Sequence, residues 1–276
     1  NDCFHSCKSL KELIFSKIKN LTLYSHLFDM CNQLESIQIE IHQTLKIKSE
    51  CFCLSNVKKV NIQANAVEIE NDAFKNNKSI NSIFIGAISI KLSKNVFENC
   101  VNLQKIELAS TSDLFIDENC FSCCRDLNSY VLNGNSIIIG KLSFFNCNKL
   151  NKLTLQRSDQ VIFGEKVFEG CNNIDSINIV APTKFEAGLN CFSSLNKLKR
   201  VQISSKTIDL GDSCFSNCDN LEEFSILECI CVKLGQKAFN GCSKLMITHI
   251  GSGQIFIGDF CFLKCNKLSQ IGCLSA

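Results

Sequence analysis

With 276 residues, 45% of them hydrophobic and 20% charged, the chain has the composition of a folded protein rather than a disordered one. Twenty-nine basic against 27 acidic residues leave a formal charge of +2, which supplies no electrostatic footprint for nucleic acid. One proline, Pro182, and 20 cysteines are the abnormal counts.

The chain opens on Asn1 to Lys8 without a basic or apolar segment of signal-peptide type, and no later run reaches the roughly 18 apolar residues of a membrane helix. Phenylalanines then recur from end to end: Phe4, Phe28, Phe52, Phe74, Phe97, Phe121, Phe144, Phe168, Phe192, Phe215, Phe239 and Phe262, in steps of 22 to 24 residues. A period in this range marks a solenoid, in which no coil buries its own apolar row and each stacks on its neighbours. The escort of each phenylalanine repeats too. Around Phe97 stand Ile90, Leu92, Val96, Cys100, Leu103, Ile106 and Leu108; around Phe168 stand Val161, Phe163, Val167, Cys171, Ile174, Ile177 and Ile179.

Alternation in Val161-x-Phe163 and Ile177-x-Ile179 predicts short half-buried strands. The three-residue spacing from Phe168 to Cys171 predicts a single helical or 3₁₀ turn. One coil is therefore expected to run strand, turn, shorter strand, helical turn. Residues 1–276 are expected to form a single solenoid of about twelve repeats, incomplete at both ends, because polar caps are missing there.

These units resemble the BspA-like, or treponemal-type, leucine-rich repeats. Ala73-Phe74, Ala238-Phe239 with Gly235, and Cys242 with Leu245 match that family's G-x-x-A-F-x-x-C-x-x-L core. The fold expected is an α/β-type repeat solenoid: a right-handed leucine-rich-repeat superhelix with a parallel sheet on one face, short second strands and one helical or 3₁₀ turn per coil. The resemblance implies a gently curved array that attaches to host or extracellular proteins at a cell surface. Two departures stand out: the family's strand-ending proline is missing except near Pro182, and cysteine often replaces the alanine before phenylalanine. Glycine stands four residues before phenylalanine at Gly140, Gly164, Gly188, Gly211, Gly235 and Gly258, but Lys48, Glu70, Ser93 and Asp117 hold that place in earlier coils. A turn there must either admit L-residues or differ between the two halves.

Fifteen cysteines occupy two repeat positions, nine of them three residues after a phenylalanine and six immediately before one. They are expected to serve as small buried hydrophobes. Rungs about 4.8 Å apart hold neighbouring Cβ atoms beyond the roughly 3.5 to 4.5 Å that a disulfide prefers. The four histidines, His5, His26, His42 and His249, are scattered, so neither a metal nor a cofactor is expected. Cys229-Ile230-Cys231 is the off-ladder pair best placed for redox chemistry. Abundant unpaired thiols suit a reducing compartment, which makes a cytoplasmic scaffold, part of a larger assembly with further copies or flanking domains, the alternative to a surface location.

No phosphate-cradling loop, zinc-protease motif or nucleophile elbow is present, and a regular solenoid offers a shallow ridged sheet rather than a convergent pocket. The expectation is therefore no enzyme and no catalytic residues. The binding surface should be the outward row of the longer strands, taken in order: Ile14, Gln38, Phe84, Glu107, Val131, Thr154, Asn178, Gln202, Ser225 and His249. Mixed charge and polarity along this row point to a protein or glycan partner, with Ile14, Phe84 and Val131 as apolar anchors.

Overall fold

A computed structural model describes residues 3–53, 55–155, 158–251 and 253–273, and the chain divides into two compact units, Asn1–Asn135 and Ser136–Ala276. In the first unit the first strands of successive coils are Glu12–Ile18, Ser36–Ile41, Lys59–Gln63, Ser82–Ala87, Lys105–Ser110 and Ser129–Asn133. They pair in parallel, in sequence order, as one six-stranded sheet. The second strands, Leu21–Leu23, Thr44–Ile47, Ala66–Ile69, Ser89–Leu92 and Asp113–Ile116, pair in parallel in the same order.

The second unit repeats the plan. Its first strands, Lys152–Leu155, Ser176–Val180, Arg200–Ser204, Glu223–Leu227, Ile247–Ile250 and Gln270–Cys273, make another six-stranded parallel sheet. Its second strands are Ser136–Ile139, Gln160–Phe163, Lys184–Ala187, Thr207–Leu210, Cys231–Leu234 and Gln254–Ile257, again paired in order. Alternation buries one side of each strand: Ile37 and Ile39 lie inside while Ser36, Gln38 and Glu40 face outward.

The arc that returns each second strand to the next coil corrects the expected α/β character. No helix occurs among the described residues, and the arc is a string of β-turns. Amide-to-carbonyl bonds three residues apart close it, as in Cys100 to Phe97 at 3.2 Å and Leu103 to Cys100 at 3.0 Å. Among the described residues, those two before and two after each phenylalanine of the column have positive φ, for example Asn95 and Asn99 around Phe97 and Asn190 and Ser194 around Phe192. A helix needs right-handed dihedrals at every residue, so two left-handed residues per arc forbid even one full helical turn; positive φ at the third residue is what type II turns require. The arc bonds across coils as well. The amides of Asn95, Phe97 and Asn99 donate to the carbonyls of Glu118, Cys120 and Ser122, so this corner also forms a ladder.

The phenylalanine rings stack inside each unit. Phe28, Phe52 and Phe74 follow one another at 4.8 Å between centroids, with planes within 11° of parallel. In the second unit Phe192, Phe215 and Phe239 follow at 5.0 and 5.4 Å. Near-parallel planes at such separations are offset stacks, the favourable arrangement for like quadrupoles. Burial of these rings beside leucine, isoleucine and valine supplies the main favourable free energy, on the order of 2 kcal/mol for each large side chain.

The glycine column differs between the two units, and in the second its cause is close backbone contact rather than a positive φ. Gly188, Gly211, Gly235 and Gly258 do not have positive φ; instead, a Cβ built on each would lie 2.5 to 2.8 Å from the backbone of the preceding coil. Glycine is needed there because two backbones touch. In the first unit Lys48 and Glu70 occupy this place and pair their charged ends instead.

Candidate functional site

Register decides which exposed side chains can act together. In the first unit Ile14 pairs with Gln38, Gln38 with Asn61, Asn61 with Phe84, Phe84 with Glu107, and Glu107 with Val131. In the second, Thr154 pairs with Asn178, Asn178 with Gln202, Gln202 with Ser225, and Ser225 with His249. All ten positions expected from the sequence thus fall on two straight rows, one per unit, and none of them is buried. Asn61 belongs to the first row but escaped the sequence reading. Its coil is the shortest, 22 residues from Phe52 to Phe74, so its strand arrives one residue early.

The rows differ in chemistry. The first carries exposed apolar groups, Ile14 at 60% and Val131 at 41%, with half-buried Phe84 between them. Phe84 lies back along its own strand over Gly86, where a Cβ would come within 3.3 Å of the ring. Beside it a depression of about 460 Å³ opens at the strand ends, lined by Gln63, Phe84, Gly86, Ile88 and Thr111 among others. Glu107 is held by Lys105 on its own strand at 3.3 Å. The second row is polar and ends in a recess of about 240 Å³ formed by Arg200, Glu222, Glu223, Met246, Ile247 and His249.

Thiol chemistry is confined by the fold. Several cysteines three residues after a phenylalanine donate their thiol to the carbonyl oxygen of the preceding coil's phenylalanine: Cys31 to Phe4, Cys100 to Phe74, Cys171 to Phe144, Cys218 to Phe192 and Cys242 to Phe215, all between 3.0 and 3.2 Å. This cysteine is therefore a hydrogen-bond donor as well as the small hydrophobe expected. Burial pushes the thiols of Cys100 and Cys218 up to about 12, and those of Cys120, Cys191 and Cys214 well above the ordinary range. Such thiols are poor nucleophiles and poor metal ligands at neutral pH.

Parallel coils of two short strands and a turn arc, closed around a phenylalanine column, define a leucine-rich type of parallel β-solenoid. The BspA type Leucine rich repeat region family matches residues 1–104, 45–175, 114–246 and 161–275, and the chain belongs to that family. A leucine-rich repeat protein of T. pallidum is 19% identical, with 59% of this chain and 77% of that one aligned at a TM-score of 0.44. One from Bacteroides ovatus is 17% identical over 99% of this chain and 86% of its own, with a TM-score of 0.42. A leucine-rich cell surface protein from Faecalibacterium prausnitzii is 16% identical over 85% and 83%, with a TM-score of 0.34. A search of curated proteins finds no match. No helix among the described residues is long and apolar enough to cross a membrane.

Proposed function

We propose that the chain is a non-enzymatic recognition module that binds a protein through the outer row of its first strands, with Ile14, Phe84 and Val131 as anchors. The carrying observation is the in-register row of the first unit, where exposed apolar side chains flank the Phe84 depression. Large apolar groups on an otherwise polar sheet are the usual centres of protein-binding energy. The unbroken period of 22 to 24 residues supports reading residues 1–276 as one functional array. Membership of a family that includes surface proteins favours attachment at the cell surface, with proteins rather than glycans fitting the apolar anchors.

The test is selection of binders from a library of displayed proteins, followed by affinity measurement. Phe84→Asp and Val131→Asp should each weaken the selected complexes at least tenfold, and Lys91→Ala on the second-strand face should leave them unchanged. Binders that respond only to the Lys91 substitution would overturn the assignment of the face. A second reading, an intracellular scaffold, is favoured by the buried thiols; quantitative labelling of the denatured native protein distinguishes the two. Near 20 reactive thiols supports the scaffold, and extensive pairing supports export.

A further inference from the structure

Two repeat positions meet at the outer corner of the arc: the residue two before each phenylalanine and the residue one after it. In most coils at least one of these carries no metal-ligating side chain, as at Lys75 beside Asp72. At the second and third coils all four positions carry metal-ligating groups: His26 and Asp29 around Phe28, Glu50 and Cys53 around Phe52. A ring nitrogen of His26, a Glu50 carboxylate oxygen and Cys53 Sγ lie within 4.8 Å of one another. The His26 Nε2 to Glu50 Oε2 separation is 3.6 Å. Ligands about 2.0 to 2.3 Å from a tetrahedral zinc ion stand roughly 3.3 to 3.7 Å apart, so little movement is needed to enclose one.

Asp29 supplies the independent support. Its Oδ2 lies 3.2 Å from His26 Nδ1, while Nε2 of the same ring faces Glu50. Its Oδ1 is enclosed and takes no hydrogen bond. A carboxylate so placed holds the proton on Nδ1 and leaves the Nε2 lone pair aimed outward, the arrangement that orients metal-bound histidines. The backbone fixes the group further: His26 and Glu50 both have left-handed φ, 57° and 58°, at the same repeat position one coil apart, and the Asp29 amide donates to the His26 carbonyl at 3.3 Å.

We infer that His26, Glu50 and Cys53 form a divalent transition-metal site, with zinc as the fitting ion and Asp29 as the group that orients His26. Mixed nitrogen, oxygen and sulfur donors select a borderline-soft ion over calcium or magnesium. Binding exchanges the Cys53 thiol proton to solvent and forms a metal–thiolate bond, and the fourth position stays open to water or to a partner's side chain. The ion would clip two adjacent coils together. This site was not foreseen from the sequence, because His26 and Cys53 are 27 residues apart and only the coil register joins them. It does not depend on the protein-binding reading.

Cobalt(II) titration of the reduced protein tests it. One equivalent should bind, giving a near-ultraviolet sulfur-to-cobalt band and intense visible bands, and zinc should displace it. Cys53→Ser should abolish the near-ultraviolet band. His26→Ala and Glu50→Gln should each weaken binding at least tenfold, and Asp29→Asn should weaken it 10- to 100-fold. Cys123→Ser, at a half-buried cysteine in the same unit, should change nothing. Glu50 is exposed and glutamine keeps its shape, so Glu50→Gln should keep the metal-free thermal midpoint. No saturable band, or equal titrations of wild type and the His26 and Cys53 variants, would overturn the inference.

Discussion

The thiol of Cys124 reaches back one full coil and donates to the carbonyl oxygen of Phe97 at 3.2 Å. That oxygen also accepts the Cys100 amide at 3.2 Å, so both of its lone pairs are used inside the core. Two consequences separate a donor from a mere space-filler. Cys124→Ala removes the sulfur and leaves the carbonyl one partner short, with an expected loss of about 1 to 3 kcal/mol in urea unfolding. Cys124→Ser keeps a donor and should cost less than alanine; a serine variant less stable than the alanine variant would show that only apolar volume matters there.

Gly211 makes a sharper prediction. A methyl group there would sit 2.8 Å from the Gly188 carbonyl carbon and 3.0 Å from two further backbone atoms, none of which can swing away. Gly211→Ala should therefore lose about 1 to 3 kcal/mol through forced separation of coils. Gly86→Ala, whose Cβ would meet only the movable edge of Phe84 at 3.3 Å, should be close to neutral in the same urea titration.

The phenylalanine column should be most sensitive in its middle. Phe97 is fully buried and stacks on Phe74 at 5.0 Å and on Phe121 at 5.3 Å. Phe97→Ala should cost about 3 to 5 kcal/mol. Phe4 is half-buried and has one stacking neighbour among the described residues, Phe28, so Phe4→Ala should cost clearly less. Equal losses would mean that ring stacking adds nothing to the core.

Alkaline pH should unfold the protein early. Burial raises the Cys100 and Cys218 thiols from 9.0 to about 12 in the folded chain. Between those values the unfolded chain has released protons that the folded chain still holds, so unfolding free energy falls as pH rises. The stabilisation is complete below pH 9 and drains away towards pH 12. A thermal midpoint that declines from pH 9 to 11, with a shallower decline measured from its own neutral-pH value in a Cys100→Ala, Cys218→Ala double variant, checks this; a flat wild-type profile refutes it.

Most of the fold was legible because every coil poses the same problem. Phe97 and Phe168 carry matching escorts, and alternation in Ile177-x-Ile179 marks both the inward pair and the outward Asn178. The arc is not helical although its spacing suggests one turn of helix, because a three-residue spacing serves a helix and a closed β-turn alike. The sign of φ separates them, and the asparagines at 76, 95, 99, 119, 146, 190 and 217, a residue type tolerant of left-handed backbone, were the available signal. Leu142 and Lys166 occupy the same conformation without any such preference, since their amides are bound by Glu165 and Leu189 of the next coil. Asn61 and the His26 cluster depended on coil length and register, which no local pattern states.

The sulfurs hidden by coiling carry a hazard for biosynthesis. Each ladder cysteine is sheltered only after the next turn of chain has been laid upon it, so a growing chain exposes its newest thiols until the following coil closes over them. Maturation in an oxidising lumen would have to outrun wrong cross-linking of thiols that the finished coils hold apart.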